Sequence, residues 1–492
     1  MKKNISNNYV VLFSLIFISG LLLLLSNEQN IALHITAFLT LSVGSMAIVK
    51  FNLLHPYCWY SLIFTLYSIS YPILYLENII TKFGYKKELM ILQWLALVTF
   101  LLVFSPHSNI SLQVRNSILG NNFKKRILEL IFKVYLKYKK LSFINKLVIK
   151  TQRINLKTRL KGICSQEKII KLIINLICLT ILISCVLIVK EGYTSKREIY
   201  ASGNIFINLS FKLAIILTVL YLFQLLNKLY KENKIDSILF LKTWISIVAL
   251  TLFSGERDLL FRLIIITTFG LYLFKKIKNI YILIAAPFVM LLLPLSHMFK
   301  YFFLTGTINK LNIFSFRGLI CEFLNGEFLS ASKNLQIILN NSDWTEGVFR
   351  GNTILNDFIR VFSKTDFSHG KWFMDSFFPD TTRVQYGFSL VGVGYVNFGY
   401  LGVILVFFLV AVFLRILYKN ANKNIYFMTI YLYTIPLYMY SIRADLANIF
   451  SPFIKHLFLS IILIYGSEIF SDFIEYKKIY KLKIEGYNND DI

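Results

Sequence analysis

Charge is scarce in this chain, and acid is scarcer than base. Charged residues are only 16% of the 492 positions, against about 25% in an ordinary soluble domain. Lys and Arg number 53 and Asp and Glu 26, for a formal net charge of +27. Cysteine is sparse too. Cys58, Cys164, Cys178, Cys185 and Cys321 form no CxxC pair, which argues against a disulfide framework and a zinc site. Several motifs are also missing: a Walker A loop, a DxD, an HExxH and a GxSxG. Their absence speaks against ATP drive, metal-held nucleotide sugars, zinc proteolysis and a nucleophile elbow. The positive charge carries no aromatic-plus-basic pattern of the RNA-binding kind, so nucleic acid is not an expected partner.

What the chain has instead is long apolar runs. Hydrophobic residues reach 56% and mean hydropathy is +0.61. The runs approach the roughly 20 residues that a helix needs to cross a bilayer. Spans are expected near 9–25, 31–49, 57–76, 89–104, 169–189, 204–226, 238–254, 259–274, 280–298, 391–417, 425–442 and 450–470. The fold class is therefore all-α, a polytopic transmembrane bundle of about 12 spans in a lipid bilayer. Lys2 and Lys3 before the first run read as an uncleaved first helix, because no small-residue cleavage site follows.

Charge asymmetry orients the spans. Segment 105–168 holds fifteen basic residues and only Glu129 and Glu167 as acids, so it is read as cytoplasmic. Within it Ile127, Leu130, Ile131, Val134 and Tyr138 recur at helical spacing among lysines, the pattern of an amphipathic helix on the inner membrane surface. Counting outward puts both termini inside. The organisation is then helices 1–4 in 1–104, the basic loop 105–168, helices 5–9 in 169–298, a large outer loop 299–390, helices 10–12 in 391–470 and a cytoplasmic tail 471–492. Lys86-Lys87 and Lys196-Arg197 fall outside and run against the majority. The outer loop has nearly balanced charge with Trp344, Trp372 and many Phe residues, the composition of a folded or half-embedded segment.

Three outer features could carry chemistry. Ser254-Gly255-Glu256-Arg257-Asp258 is a short turn between two spans, with Arg262 one helical turn later. Charges at membrane depth are costly and tend to be functional, although a turn with an internal ion pair would give the same pattern. Ser441-Ile442-Arg443-Ala444-Asp445 pairs an arginine with an aspartate at a second turn, with the same two meanings. Gly392 to Gly402 contains four glycines at the mouth of a span, which suits close helix packing. His297, Lys300 and Tyr301 end the ninth span, and His369 lies in the outer loop; lone histidines are more often structural. Arginines gathered on one outer cavity suit an anion, since the guanidinium stays charged and grips phosphate at two points.

These motifs resemble those of bacterial oligosaccharide repeat-unit polymerases of the Wzy type. Ser254-Gly255-Glu256-Arg257-Asp258 is similar to that family's G-x-R turn. His55-Pro56 before an aromatic span, Gly326-Glu327-Phe328 in the outer loop, Tyr395 to Gly402 entering a span, and Arg443 at the next outer turn follow in order. The basic loop 105–168 departs from the family's usual compactness. The resemblance implies a GT-C-like architecture and an enzyme of the bacterial cytoplasmic membrane. Its implied substrate is an undecaprenyl-diphosphate-linked oligosaccharide, joined into O-antigen, capsule or exopolysaccharide without a cofactor or metal. A chain-length regulator and a flippase are the implied protein partners. By this resemblance Arg257, Arg443 and Arg383 meet the diphosphate or sugar, and Glu256 or Glu327 serves as base. Asp258, Arg262, Arg317, Arg360, His297, Lys300, Tyr301, Asn397 and Asp445 are substrate contacts. An O-antigen ligase would use the same chemistry on another acceptor. A lipid-linked oligosaccharide flippase would instead carry charges through the bundle centre.

Overall fold

The computed structural model describes residues 2–104, 163–193, 198–199, 202–278, 281, 285, 315–363, 365–380 and 387–489. Among them there is helix and no strand. Eleven of the twelve expected spans coincide with helices: α1 Lys2–Leu25, α2 Ile31–Ile48, α3 Pro56–Leu76, α4 Glu88–Val103, α5 Ile163–Lys190, α6 Ile205–Glu232, α7 Ser237–Ser254 and α8 Arg257–Leu273. The segment between the eighth helix and residue 390 contributes α9 Phe316–Phe323, α10 Leu329–Asn340, α11 Ser342–Thr345, α12 Asn352–Phe362 and α13 His369–Phe377. The remaining spans are α14 Leu390–Ala421 and α15 Ile425–Ser441, then α16 Ala447–Pro452, which runs through a π-turn into α17 Leu459–Asn489. Among the described residues, seven helices are long and apolar enough to cross a membrane. The span at 280–298 and the amphipathic helix at 127–138 lie outside the described residues.

The chain divides into two compact units. One comprises 1–112, 268–422 and 430–455. Its centre is aromatic. Tyr60 stacks on Phe100 at 3.7 Å, and the Trp59 indole donates to the Tyr431 hydroxyl at 3.2 Å, which donates to the Leu54 carbonyl at 2.6 Å. The His55-Pro56 pair has a local cause: the buried His55 side chain accepts the Tyr57 N–H at 3.1 Å as N-cap of α3, while Pro56 takes the first helical position, where no N–H is needed.

α14 is two helical arms rather than one rod. Phe398 (φ −146°, ψ 29°) and Gly399 (φ 57°, ψ −138°) break it, and only glycine adopts the second conformation without strain. The arms then fold against each other so closely that a Cβ on Gly402 would overlap the Gly394 carbonyl. The glycines expected to serve packing do so here.

The second unit comprises 113–267, 423–429 and 456–492. The start of α5, the end of α6 and the start of α7 are tied by ion pairs. Lys171 reaches Glu167 at 2.9 Å and Asp236 at 2.7 Å, and Lys228 reaches Glu167 at 3.2 Å. These three helix ends therefore share one side of the unit. Cys58, Cys178, Cys185 and Cys321 are free and buried.

Candidate functional site

α12 places Thr353, Asp357 and Arg360 on one face, at helical spacing. That face is closed by His369 at the start of α13 and by Asp445 in the turn after α15. Arg360 Nη1 lies 2.7 Å from Asp445 Oδ2 and 3.2 Å from Asp357 Oδ1. His369 Nδ1 faces the same two oxygens at 3.6 Å (Asp357) and 3.9 Å (Asp445), beyond hydrogen-bond reach. Asp357 and His369 are fully buried and Asp445 nearly so. The ring of His369 lies against Phe388, with centroids 5.3 Å apart.

Several further polar atoms around the cluster are hydrogen-bonded. His369 Nε2 is 2.9 Å from the Thr353 hydroxyl, which lies 3.0 Å from Asn397 Oδ1. Asn397 Nδ2 donates to Thr353 Oγ1 at 2.7 Å and to the Val393 carbonyl at 2.8 Å, and its Oδ1 accepts the Gly351 N–H at 3.1 Å. The Leu446 N–H donates to Asp357 Oδ2 at 3.3 Å, and Asn448 Nδ2 donates to Asp445 Oδ1 at 2.6 Å.

The titration directions follow from these contacts. Burial alone would push the His369 imidazole down. Its approach to Asp357 and Asp445 outweighs that and holds it at about 9. Burial would raise Asp445, but His369 and Arg360 bring it down to about 2. Asp357 is pushed up by burial and by the charge of Asp445, against the pull of His369 and Arg360. At neutral pH His369 therefore carries its second proton. Its Nε2–H donates to the Thr353 hydroxyl, which donates in turn to Asn397 Oδ1.

Asp357, His369 and Asp445 offer three ligand atoms within 4.8 Å of one another, so a divalent cation must be considered. Metal ligation needs the imidazole bare. Arg360 Nη1 already lies on both carboxylate oxygens that would do the ligating. The donor set fits an internal cluster of two positive and two negative groups better than a metal.

The cluster braces the turn that carries Arg443. Asp445 is two residues on, and the Leu446 N–H is capped by Asp357. The Phe388 N–H donates to the Arg443 carbonyl at 2.9 Å, and the Leu390 N–H to Ile442 at 3.1 Å. The half-buried Arg443 guanidinium stacks over the Tyr440 ring at 4.9 Å. An internal ion pair was one of two readings of this turn; Asp445 pairs with Arg360.

The other candidates fall in several places. Arg360, Asn397 and Asp445 come together, joined by His369 and Asp357. Their polar groups bond to one another and to the surrounding protein. Arg317 pairs with Glu77 at the surface. In the second unit, Gly255 closes α7 in the left-handed conformation (φ 70°), and the Glu256 N–H donates to Ser254 Oγ at 3.2 Å. Arg257 and Glu256 are half-buried. Arg262 pairs with Asp258 at 2.5 Å and is buried. Gly326 departs from helical geometry (ψ −113°) in a π-turn that contains Glu327. Arg383, His297, Lys300 and Tyr301 lie outside the described residues. Asp357 is the residue that sequence reading missed. Its signal was the polar stripe Thr353, Asp357 and Arg360 opposite an apolar one.

Several apolar helices of spanning length define a multi-pass helical membrane protein, and a buried charge cluster braces its Arg443 turn. Residues 380–472 match the family described as O-antigen polysaccharide polymerase Wzy, which supports a Wzy-type polymerase. Arg443, Asp445 and both arms of α14 fall within that segment. Neither a curated protein nor a solved structure matches the chain.

Proposed function

We propose that this chain joins undecaprenyl-diphosphate-linked oligosaccharide repeat units into a surface polysaccharide. The reaction takes place at the outer face of the bacterial cytoplasmic membrane, in a twelve-span chain with both termini inside. An acceptor sugar hydroxyl attacks the anomeric carbon of the donor saccharide. The new C–O bond forms as the bond to the lipid diphosphate breaks, and the electron pair leaves with the diphosphate. The hydroxyl proton passes to a carboxylate, Glu256 or Glu327. His369 is no candidate for that step, since it is buried and already protonated.

The chemistry asks for preorganised positive charge where the diphosphate departs, and one such donor is worth roughly 3–4 kcal/mol. Arg443 carries the proposal. It lies within the matched segment, and its turn is held from one side by a buried ion cluster and from the other by backbone bonds to Phe388 and Leu390. By the resemblance Arg257, at a glycine-closed turn, is a further cation proposed for the substrate. The test is reconstitution of the purified chain in liposomes with lipid-diphosphate-linked repeat units as the sole substrate. A ladder of oligomers with matching release of undecaprenyl diphosphate is expected. Transfer only to a lipid A core acceptor would make it a ligase, and movement of units without bond formation a flippase.

A further inference from the structure

The apolar face of α12 points away from the protein. Leu355, Phe358, Ile359 and Phe362 recur at i, i+3, i+4 and i+7 and are exposed, Phe362 most of all at 78%. The opposite stripe, Thr353, Asp357 and Arg360, faces the buried cluster. A helix at a water-facing surface has the reverse arrangement, with its polar stripe outward.

The position of α12 along α14 gives the reason. α12 begins at Gly351, which bonds Asn397 and lies against the Phe398 ring at the apex of α14. Further along, Phe358 packs on Phe450 at 5.1 Å, and Phe450 packs on Phe413 at 5.3 Å. Phe413 lies fourteen residues past Gly399, about 21 Å down the second arm at 1.5 Å per residue. These two ring contacts tie Phe358 to the stretch of that arm around Phe413 rather than to the apex. The Lys455 ammonium donates to the Arg360 carbonyl at 3.3 Å at the same end.

A second segment behaves alike. The Phe328 carbonyl accepts from Ser70 at 2.9 Å, and the Tyr71 N–H donates to Ser332 at 3.2 Å. Ser70 lies six residues inside the end of α3, about 9 Å deep. From there α10 climbs until the Lys86 ammonium donates to the Leu339 carbonyl at 2.6 Å, in the loop beyond α3.

We infer that α12 is a re-entrant helix whose Leu355, Phe358, Ile359 and Phe362 stripe is seated in the acyl chains of one leaflet. Backbone at that depth survives because its polar groups are satisfied by the helix and by protein. The α14 second arm, to which α12 is linked through Phe450, likewise exposes Leu401, Leu405 and Phe408 along an apolar helix of spanning length, which is why bilayer hydrocarbon, rather than a second protein, is the occupant. The inference rests on the membrane spans and not on the reaction, so it survives or fails independently of polymerase activity.

The test uses the full chain carrying Cys164→Ser, reconstituted in phosphatidylethanolamine/phosphatidylglycerol liposomes. Nitroxides are placed one at a time at Leu355→Cys, Phe362→Cys, Leu405→Cys as lipid control and Ser342→Cys as aqueous control. Power saturation is measured with oxygen and with a water-soluble nickel chelate. Sites 355 and 362 are expected to match 405, open to oxygen and closed to nickel. Nickel accessibility like that of 342 overturns the inference, and so does exclusion of both reagents, which means that protein covers the stripe. The unsubstituted chain with a diazirine-acyl phospholipid gives a second readout free of folding defects. Cross-links on the peptide 352–362 are expected, and their absence beside labelled α14 peptides overturns the inference.

Discussion

Removing the Asp445 carboxylate tests the bracing role of the buried cluster. In the wild type two carboxylates balance Arg360 and a protonated His369. Asp445→Asn leaves one carboxylate for two cations, and Arg360 loses its 2.7 Å partner. Breaking a buried pair on one side costs about 3–5 kcal/mol. The imidazole gives a consistent figure. Lifting it from 6.5 to about 9 corresponds to about 3 kcal/mol of favourable interaction, at about 1.4 kcal/mol per tenfold. The cost should appear locally, because the cluster closes the 442–446 turn. Hydrogen exchange of peptides covering Arg443 to Asn448 should speed up by roughly 100-fold, while α6 peptides stay unchanged. The double variant Arg360→Met/Asp445→Leu removes both charges and keeps the neutral Asp357–His369 pair, so exchange should return to within tenfold of wild type. Wild-type exchange in the single Asp445→Asn variant would refute the reasoning.

Three further outcomes are expected. His369 is raised in the folded chain, so its contribution to stability is complete below pH about 6.5 and is lost as pH rises through about 9; the melting-temperature gap between wild type and His369→Gln in detergent should narrow from pH 6 to pH 10, and a gap that widens contradicts the assignment. Gly402→Val pushes a side chain into the Gly394 carbonyl and should abolish a monodisperse peak in fluorescence-detected chromatography, whereas Gly255→Ala, strained only by its left-handed backbone, should cost about 1–2 kcal/mol and keep the peak. An impermeant maleimide on intact cells should label Ser342→Cys and spare Ser142→Cys, and the reverse pattern would invert the topology.

Hydropathy made the spanning helices legible, because roughly 20 apolar residues in a row have few other uses. It could not show that α12 turns its apolar stripe outward. α12 has 11 residues with alternating apolar and polar stripes, and such a helix reads the same on a water-facing surface until its partners are known. The charge cluster was half legible. Arg360, Asp445 and Asn397 stood out as polar groups near apolar runs, but Asp357, His369 and Asp445 are far apart in sequence and only the fold joins them. Arg443 was singled out from its place at a turn after an apolar run. What holds that turn still was not, since Asp445 pairs with a residue 85 positions earlier.

The central claim is that Arg443 stabilises a departing diphosphate. The decisive measurement is the length distribution of surface polysaccharide in cells carrying wild type, Arg443→Ala or Arg443→Lys at matched membrane levels. Arg443→Ala is expected to leave single repeat units only. Arg443→Lys keeps the charge but loses the planar fork and should restore chains in part. Normal long chains from the alanine variant would contradict the account.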